Sequence, residues 1–351
     1  MAKIRVLIVD DSSIMRNLLT KLLSAEPDIE VVGTAPDPYI AREKLVKLKP
    51  DVMTLDIEMP RMNGIEFLEK VMEHFPTRTI MISSLSKRGS EIAMKAFELG
   101  AVDVLEKPTV IDPAHLNSMG EDIIARVRAA AEAKIKKIDA TEVRFRASRT
   151  HLDLERLKIL VQDQVLAIAA STGGVEALVT LFSHMPSVIP AILVVQHMPA
   201  IFTKALASRL QKLCPFEVKE AEAGDEVRAG RVLIAPGNYH MEVLGRNGVY
   251  VVKLHQQPPL HNVRPSADYL FQSVAKCVGS NAVGVVLTGM GKDGSQGLAA
   301  MKETGSFNLA QNEATCVVFG MPKAAISAGA IHRVVGIEDI AQEVMEYYLA
   351  K

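Results

Sequence analysis

A rhythm that occurs twice constrains this chain most. Short apolar runs alternate with amphipathic stretches over the first 110 residues: Ile4–Val9, Val31–Ala35, Val52–Leu55, Thr79–Ile82 and Val102–Leu105. Between them lie helix-like segments, Ser13–Ser24, Tyr39–Leu48, Gly64–His74 and Glu91–Leu99. Strands alternating with helices of this length predict a parallel sheet with helices on both faces. A further periodic stretch, Ser118–Ile138, puts Ile123, Val127, Ala131 and Ile135 on one face, with Ser118 as N-cap and Glu121 three residues later. After Gln164 the rhythm resumes. Val165–Ala170, Ala191–Val195, Val232–Ala235, Val249–Leu254 and Val283–Leu287 read as strands with helical patterns in most of the gaps. Two doubly wound α/β domains are therefore expected. No internal repeat relates the halves.

The joint differs in composition. Residues 126–158 hold ten Lys/Arg against five Asp/Glu and contain no Gly or Pro. This reads as a helix end plus a basic linker, or as a segment that also docks a partner. The whole chain, 351 residues with a net charge of −1, carries no bias toward nucleic acid or an anionic membrane. Cys214, Cys277 and Cys316 lack CxxC spacing, which argues against a disulfide scaffold or a thiolate zinc site. No apolar run is long enough for a transmembrane helix, and the N-terminal residues enter a strand pattern at once, so a cytoplasmic protein is expected.

Chemistry-bearing residues gather at predicted strand ends. Asp10 and Asp11 follow the first strand, Asp56 ends the third, Ser83 the fourth, and Lys107 follows the fifth, directly before Pro108. In a doubly wound sheet these ends converge on one crevice. Unpaired carboxylates there would repel, a hard divalent cation such as Mg²⁺ would answer that, and Lys107 could pair with a carboxylate or an arriving phosphoryl group. Taken singly, each acid could equally cap a helix.

In the second domain, Ser171-Thr172-Gly173-Gly174 follows a strand and opens a helical pattern. Glycines allow close approach of amides, and a helix N-terminus favours developing negative charge. Ser171 could be a nucleophile or an N-cap serine. A serine nucleophile needs a base. His197 lies just past the strand Ala191–Val195, while His240, His255 and His261 sit in hairpin-like sequence. An orienting acid could be Asp293, in Leu287-Thr288-Gly289-Met290-Gly291-Lys292-Asp293-Gly294, although a helix N-cap acid is its other reading. Parallel strands would carry Ser171, His197 and Asp293 to one sheet edge.

The first 122 residues resemble a response-regulator receiver domain through Asp10-Asp11, Asp56 with Met59-Pro60 and Asn63-Gly64, Ser83, and Lys107-Pro108. The resemblance implies a flavodoxin-like fold and phosphorylation of Asp56 by a histidine kinase. It implies Mg²⁺ held by Asp10, Asp11, Asp56 and the Glu58 backbone carbonyl, phosphoryl sensing by Ser83 and Lys107, and a cis Lys107–Pro108 bond. Val104 stands where receivers often carry an aromatic switch residue, which argues against transmission through an aromatic rotamer. Residues 164–351 resemble the catalytic domain of the CheB family of chemotaxis methylesterases through Ala170–Gly174, Gln196–Pro199, Ala235–Gly237, Arg264–Asp268, Leu287–Gly294 and Phe319–Pro322. Residues 123–163 form the unmatched joint.

This second resemblance implies a Rossmann-like hydrolytic domain without a cofactor. It implies Ser171 as nucleophile, His197 as base and Asp293 as its orienting acid, with oxyanion donors among Met290, Thr172 and Gly173. The implied substrates are glutamate methyl esters and glutamine amides on methyl-accepting chemoreceptors, at cytoplasmic receptor arrays. The receiver would cover the active-site edge until phosphorylation shifts it. The alternatives are the same chemistry on a receptor array outside chemotaxis, or a catalytically idle docking protein. A DNA-binding regulator is disfavoured.

Overall fold

The computed structural model describes residues 2–83, 87–107, 113–134, 154–246 and 249–351. The chain divides into two compact units, Met1–Ala140 and Thr141–Lys351.

In the first unit, β1 (Ile4–Val9), β2 (Ile29–Ala35), β3 (Val52–Asp56), β4 (Arg78–Ser83) and β5 (Asp103–Glu106) form a parallel sheet of order β2-β1-β3-β4-β5. Helices α1 (Ser13–Ser24), α2 (Pro38–Leu48), α3 (Gly64–His74), α4 (Lys87–Glu98) and α5 (Pro113–Glu132) connect and follow the strands. The central strands bury successive apolar side chains on both faces (Val6 to Val9; Val52, Met53, Leu55), as expected for a sheet covered on both sides.

The reading of α5 needs correction. Ser118 is not its N-cap: the helix begins five residues earlier, at Pro113, whose fixed φ suits a first helical turn. Ile123, Val127 and Ala130 of α5 are buried, so the beginning of the stretch read as a joint is core of the first unit. Arg126 anchors the helix from within, its buried guanidinium donating to Asp103 at 2.7 Å and to Asp122 at 3.0 Å. Ile135 and the basic residues up to 149 lie outside the described residues.

The second unit opens with α6 (Leu154–Leu160). Its seven-stranded sheet comprises β6 (Val165–Ala170), β7 (Ala191–Gln196), β8 (Glu217–Glu220), β9 (Arg231–Ile234), β12 (Ala282–Val286), β13 (Phe307–Gln311) and β14 (Arg333–Val335). The order is β14-β13-β12-β6-β7-β9-β8, and every pairing is parallel. The remaining helices are α7 (Gly174–Ser183), α8 (Ala200–Leu213), α9 (Ala267–Cys277), α10 (Ser295–Glu303), α11 (Met321–Ser327) and α12 (Ile340–Leu349).

Val249–Leu254 is a strand but not part of this sheet: β11 (Val249–His255) pairs antiparallel with β10 (His240–Arg246) as a separate hairpin. The sequence reading missed β8, β13 and β14 of the seven-stranded sheet, and β10 of the hairpin. The outermost, β8 and β14, are short. β13 carries Asn308 and Gln311, polar residues that break an apolar run yet are buried, with Asn308 donating to the carbonyls of Leu298 and Ala330.

Candidate active site and phosphoacceptor site

In the first unit the strand ends converge as the alternation requires. Asp10 follows β1 and Asp56 closes β3, and both are buried. Lys107 is placed by its amide, which donates to Ser83 O at the end of β4 at 2.8 Å. Its ammonium lies 2.8 Å from Asp56 Oδ2 and 3.1 Å from Asp10 Oδ2. Asp10 Oδ1 accepts the Ser12 amide at 2.8 Å, and Asp56 Oδ1 accepts that of Glu58 at 3.2 Å. Gly64 is required beside the crevice, since a Cβ there would stand 2.0 Å from the Asp56 carbonyl oxygen.

Burial dominates the electrostatics. It raises the Asp56 carboxyl to about 6, assisted by the like charge of Asp10 and opposed by Lys107. Burial also pulls on the Lys107 ammonium, but the hydrogen bond and charge of Asp56, with Asp10, outweigh it and hold the lysine above its usual value. Carboxylate oxygens of Asp10, Asp11 and Asp56 all lie within 4.8 Å of one another. Three carboxylates against one ammonium leave an excess of two negative charges when all are ionised. This hard-oxygen set fits a divalent cation such as Mg²⁺. The Lys107–Pro108 bond lies outside the described residues, and Val104 is buried.

In the second unit three neighbouring strands, β7, β6 and β12, build the candidate active site. The β6–β7 register pairs Ala170 with Gln196, and the His197 amide donates to Ala170 O at 3.0 Å. On the other flank the Ser171 amide donates to Thr288 O at 3.0 Å. Ser171 therefore stands at the end of the middle strand, with His197 on one side and the Thr288–Gly294 loop on the other. Gly289 makes this approach possible, because a Cβ there would stand 2.7 Å from Ser171 Cβ. Both Ser171 and His197 are buried, and the imidazole Nε2 lies 2.7 Å from Asp293 Oδ2. A carboxylate can only accept, so Nε2 carries the proton and Nδ1 is the basic nitrogen. Burial pushes the Asp293 carboxyl up, but bonds from His197, Ser266 and the Ala267 amide outweigh it and hold the group below its usual value.

The other sequence candidates fall into three places. Gly173 precedes α7 with φ of 78°, and a Cβ would meet Val317 at 2.5 Å. Buried Thr172 directs its carbonyl to Thr288 Oγ1 at 3.0 Å. Met290 follows Gly289, whose carbonyl accepts the amides of Gly320 and Met321 at 3.0 and 2.8 Å. His240, His255 and His261 are not brought to Asp293 as its hydrogen-bonded histidine: His240 packs tilted and His255 edge-on against Tyr269, and His261 pairs with Asp268 at 2.9 Å.

Residues 166–344 match the family described as CheB methylesterase, and residues 6–119 match the response regulator receiver domain. A relative from Bdellovibrio bacteriovorus, named protein-glutamate methylesterase/protein-glutamine glutaminase, is 57% identical over 344 residues, covering 98% of this chain and 97% of its own. The chain belongs to the CheB methylesterase family. A relative of the same name from Syntrophotalea carbinolica is 47% identical over 351 residues, covering 98% of this chain and 97% of its own. The crystal structure of the Thermotoga maritima CheB methylesterase catalytic domain superposes with a TM-score of 0.52 at 39% identity, covering 52% of this chain and 98% of that one.

This methylesterase-family enzyme carries supporting residues that sequence reasoning did not single out. Buried Gln196 donates from Nε2 to the carbonyls of Ser171 at 2.9 Å and His197 at 3.2 Å, tying the two strand ends together. Thr288 receives Gln311 Oε1 on its amide at 2.8 Å and donates from Oγ1 toward Val318 O at 3.2 Å. Ser266 donates to Asp293 Oδ1 at 2.6 Å. Gln196 and Ser266 lay inside recognised motifs, but nothing local to either motif names its partner. Among the described residues, no helix is long and apolar enough to cross a membrane.

Proposed function

We propose that this methylesterase is a phosphorylation-activated hydrolase of chemoreceptor side chains. It converts glutamate γ-methyl esters to glutamate with release of methanol, and receptor glutamines to glutamate with release of ammonia. The observation that carries the reading is the buried 2.7 Å hydrogen bond between His197 and Asp293, beside Ser171 at the edge of adjoining parallel strands. Ser171 Oγ attacks the ester carbonyl while His197 Nδ1 takes its proton. Asp293 holds the tautomer and balances the imidazolium. The proton then passes to the departing methoxide, and water repeats the sequence on the acyl-serine. The Met290 amide and the Thr172–Gly173 turn serve the oxyanion, where a single donor is worth about 2.7–4 kcal/mol. An amide leaves less readily than a methoxide, so the ester is the faster substrate.

In the receiver, Asp56 accepts a phosphoryl group from a histidine kinase, and Ser83 and Lys107 bind its oxygens. Asp10, Asp11, Asp56 and the Glu58 carbonyl are the groups that would hold Mg²⁺, which when bound supplies positive charge to those oxygens. Phosphorylation shifts the population of the enzyme toward a state that acts faster on the receptor. The enzyme acts in the cytoplasm at receptor arrays. The test is methanol release from methylated receptor membranes, with and without a small phosphodonor and Mg²⁺. Release that rises with phosphodonor and vanishes in Ser171→Ala is expected. No release under either condition overturns the reading for these receptors.

A further inference from the structure

Ser266 occupies the N-cap position of α9, yet its hydroxyl does not cap that helix. A serine there ordinarily accepts from an amide two or three residues ahead. Here the hydroxyl donates instead to Asp293 Oδ1 at 2.6 Å. The first two amides of the helix, the second of which such a serine would ordinarily take, reach the same carboxylate: Ala267 N donates to Oδ2 at 2.6 Å and Asp268 N to Oδ1 at 3.3 Å. Asp293 thus caps a helix that is not its own. With His197 Nε2, four donors hold its two oxygens, and the positive end of the helix dipole faces the charge. Ser266 is held at its other end too, its amide donating to Nδ1 of buried His240 at 3.1 Å. Ser266 and Asp293 are 0% and 3% exposed, so bulk water cannot stand in for the hydroxyl.

We propose that Ser266 is a positioning residue: its hydroxyl sets the orientation of the Asp293 carboxylate and, through it, the tautomer of His197. The inference rests on the reading of Ser171, His197 and Asp293 as the hydrolytic set. One charged neighbour opposes the arrangement. Asp268, fully buried on α9, faces Asp293 and is itself tied to His261 at 2.9 Å and to the Gly297 amide at 2.7 Å. Removing the Ser266 donor leaves Asp293 with that repulsion and one bond fewer. The carboxylate becomes more basic and favours the imidazolium, so the acid limb of the rate profile moves to higher pH.

The experiment uses the full chain with phosphodonor, Mg²⁺ and methylated receptor membranes, following methanol release against pH. Ser266→Ala should lower kcat by about 10–100-fold, the range for a lost hydrogen bond to a charged group, with KM little changed and the acid limb moved upward. Ser266→Thr keeps the donor and should stay within about threefold of native. The downfield proton resonance of His197 Nε2–H should shift in Ser266→Ala and stay in Ser266→Thr. If Ser266→Ala does not fold, Ser266→Cys, nearly isosteric but a weak donor, gives the answer. A clear loss of kcat at native thermal stability supports the role, and a native rate overturns it. Native kcat, pH profile and proton resonance in a folded Ser266→Ala overturn it as well. Ser171→Ala runs alongside. Activity retained there overturns the hydrolytic set itself, whereas a dead Ser171→Ala beside an unaffected Ser266→Ala overturns Ser266 alone.

Discussion

Asp56 has two demands on one carboxylate. On the proposed reading it receives a phosphoryl group in a crevice shielded from water, and it must be ionised to attack. Burial raises its carboxyl to about 6, above the ordinary value near 3.9 for an unfolded chain. A raised acid binds its proton more tightly folded than unfolded, so its contribution to stability is full below about pH 4 and is lost as pH rises through about 6. The full swing is of order 2–3 kcal/mol. Asp56→Asn should therefore gain stability over the native chain as pH rises from about 5 to 7.5, which chemical denaturation at several pH values checks. Mg²⁺ must displace that proton, so its affinity should weaken below about pH 6. At the other site, Gly289→Ala places a methyl 2.7 Å from Ser171 Cβ and 2.5 Å from Met321 Sδ. The thioether can move, but the strand-end serine cannot. Methanol release should fall at least about tenfold while stability drops by about 1–3 kcal/mol, as for other overpacked sites.

At the scale of elements, both sites are made by turns between a strand and the next helix. In the receiver, α3 begins beside Asp56 and is capped by Asn63, whose Oδ1 accepts the Glu66 amide at 2.9 Å while its amide group donates to Glu66 Oε1 at 2.8 Å. Asn63→Ala should cost about 1 kcal/mol of receiver stability, read from the denaturation midpoint. In the catalytic unit, Gly173 and Gly294 precede α7 and α10 with φ of 78° and 87°. Neither offers a side-chain cap, and the chain beside each turn is left close to the reacting groups. The acid that could have capped α10 caps α9 instead. Charge and helix thus stabilise each other across two segments 25 residues apart.

At the scale of the molecule, the proposed control by phosphorylation needs little free energy: a tenfold stimulation corresponds to only about 1.4 kcal/mol. That is small beside the roughly 5–15 kcal/mol that holds a typical folded domain, so such control requires no unfolding. Asp56→Asn should lose the phosphodonor response of methanol release. Lys107→Ala should lose it too, because the ammonium that spans Asp10 and Asp56 at 3.1 and 2.8 Å is gone. A response that persists in both variants would place the switch elsewhere.

The sequence by itself determined the two α/β rhythms and the positions of Asp10, Asp56, Ser171 and His197 at strand ends. Periodicity and chain punctuation are local properties, and parallel strands carry their carboxyl ends to one edge whatever their order. It did not disclose β13, because Asn308 and Gln311 are polar by composition, and their burial depends on the carbonyls of Leu298 in α10, Ala330 and Thr315. It mistook the start of α5, because Ser118 is a credible cap in isolation and Pro113 opens the helix earlier. Only the tertiary structure decided that Asp293 takes Nε2 of His197 and leaves Nδ1 basic. It alone brought Ser266 and the α9 amides to the same carboxylate. A hydrogen-bond partner far along the chain depends on where the intervening strands and helices pack, and no pattern local to either residue contains that.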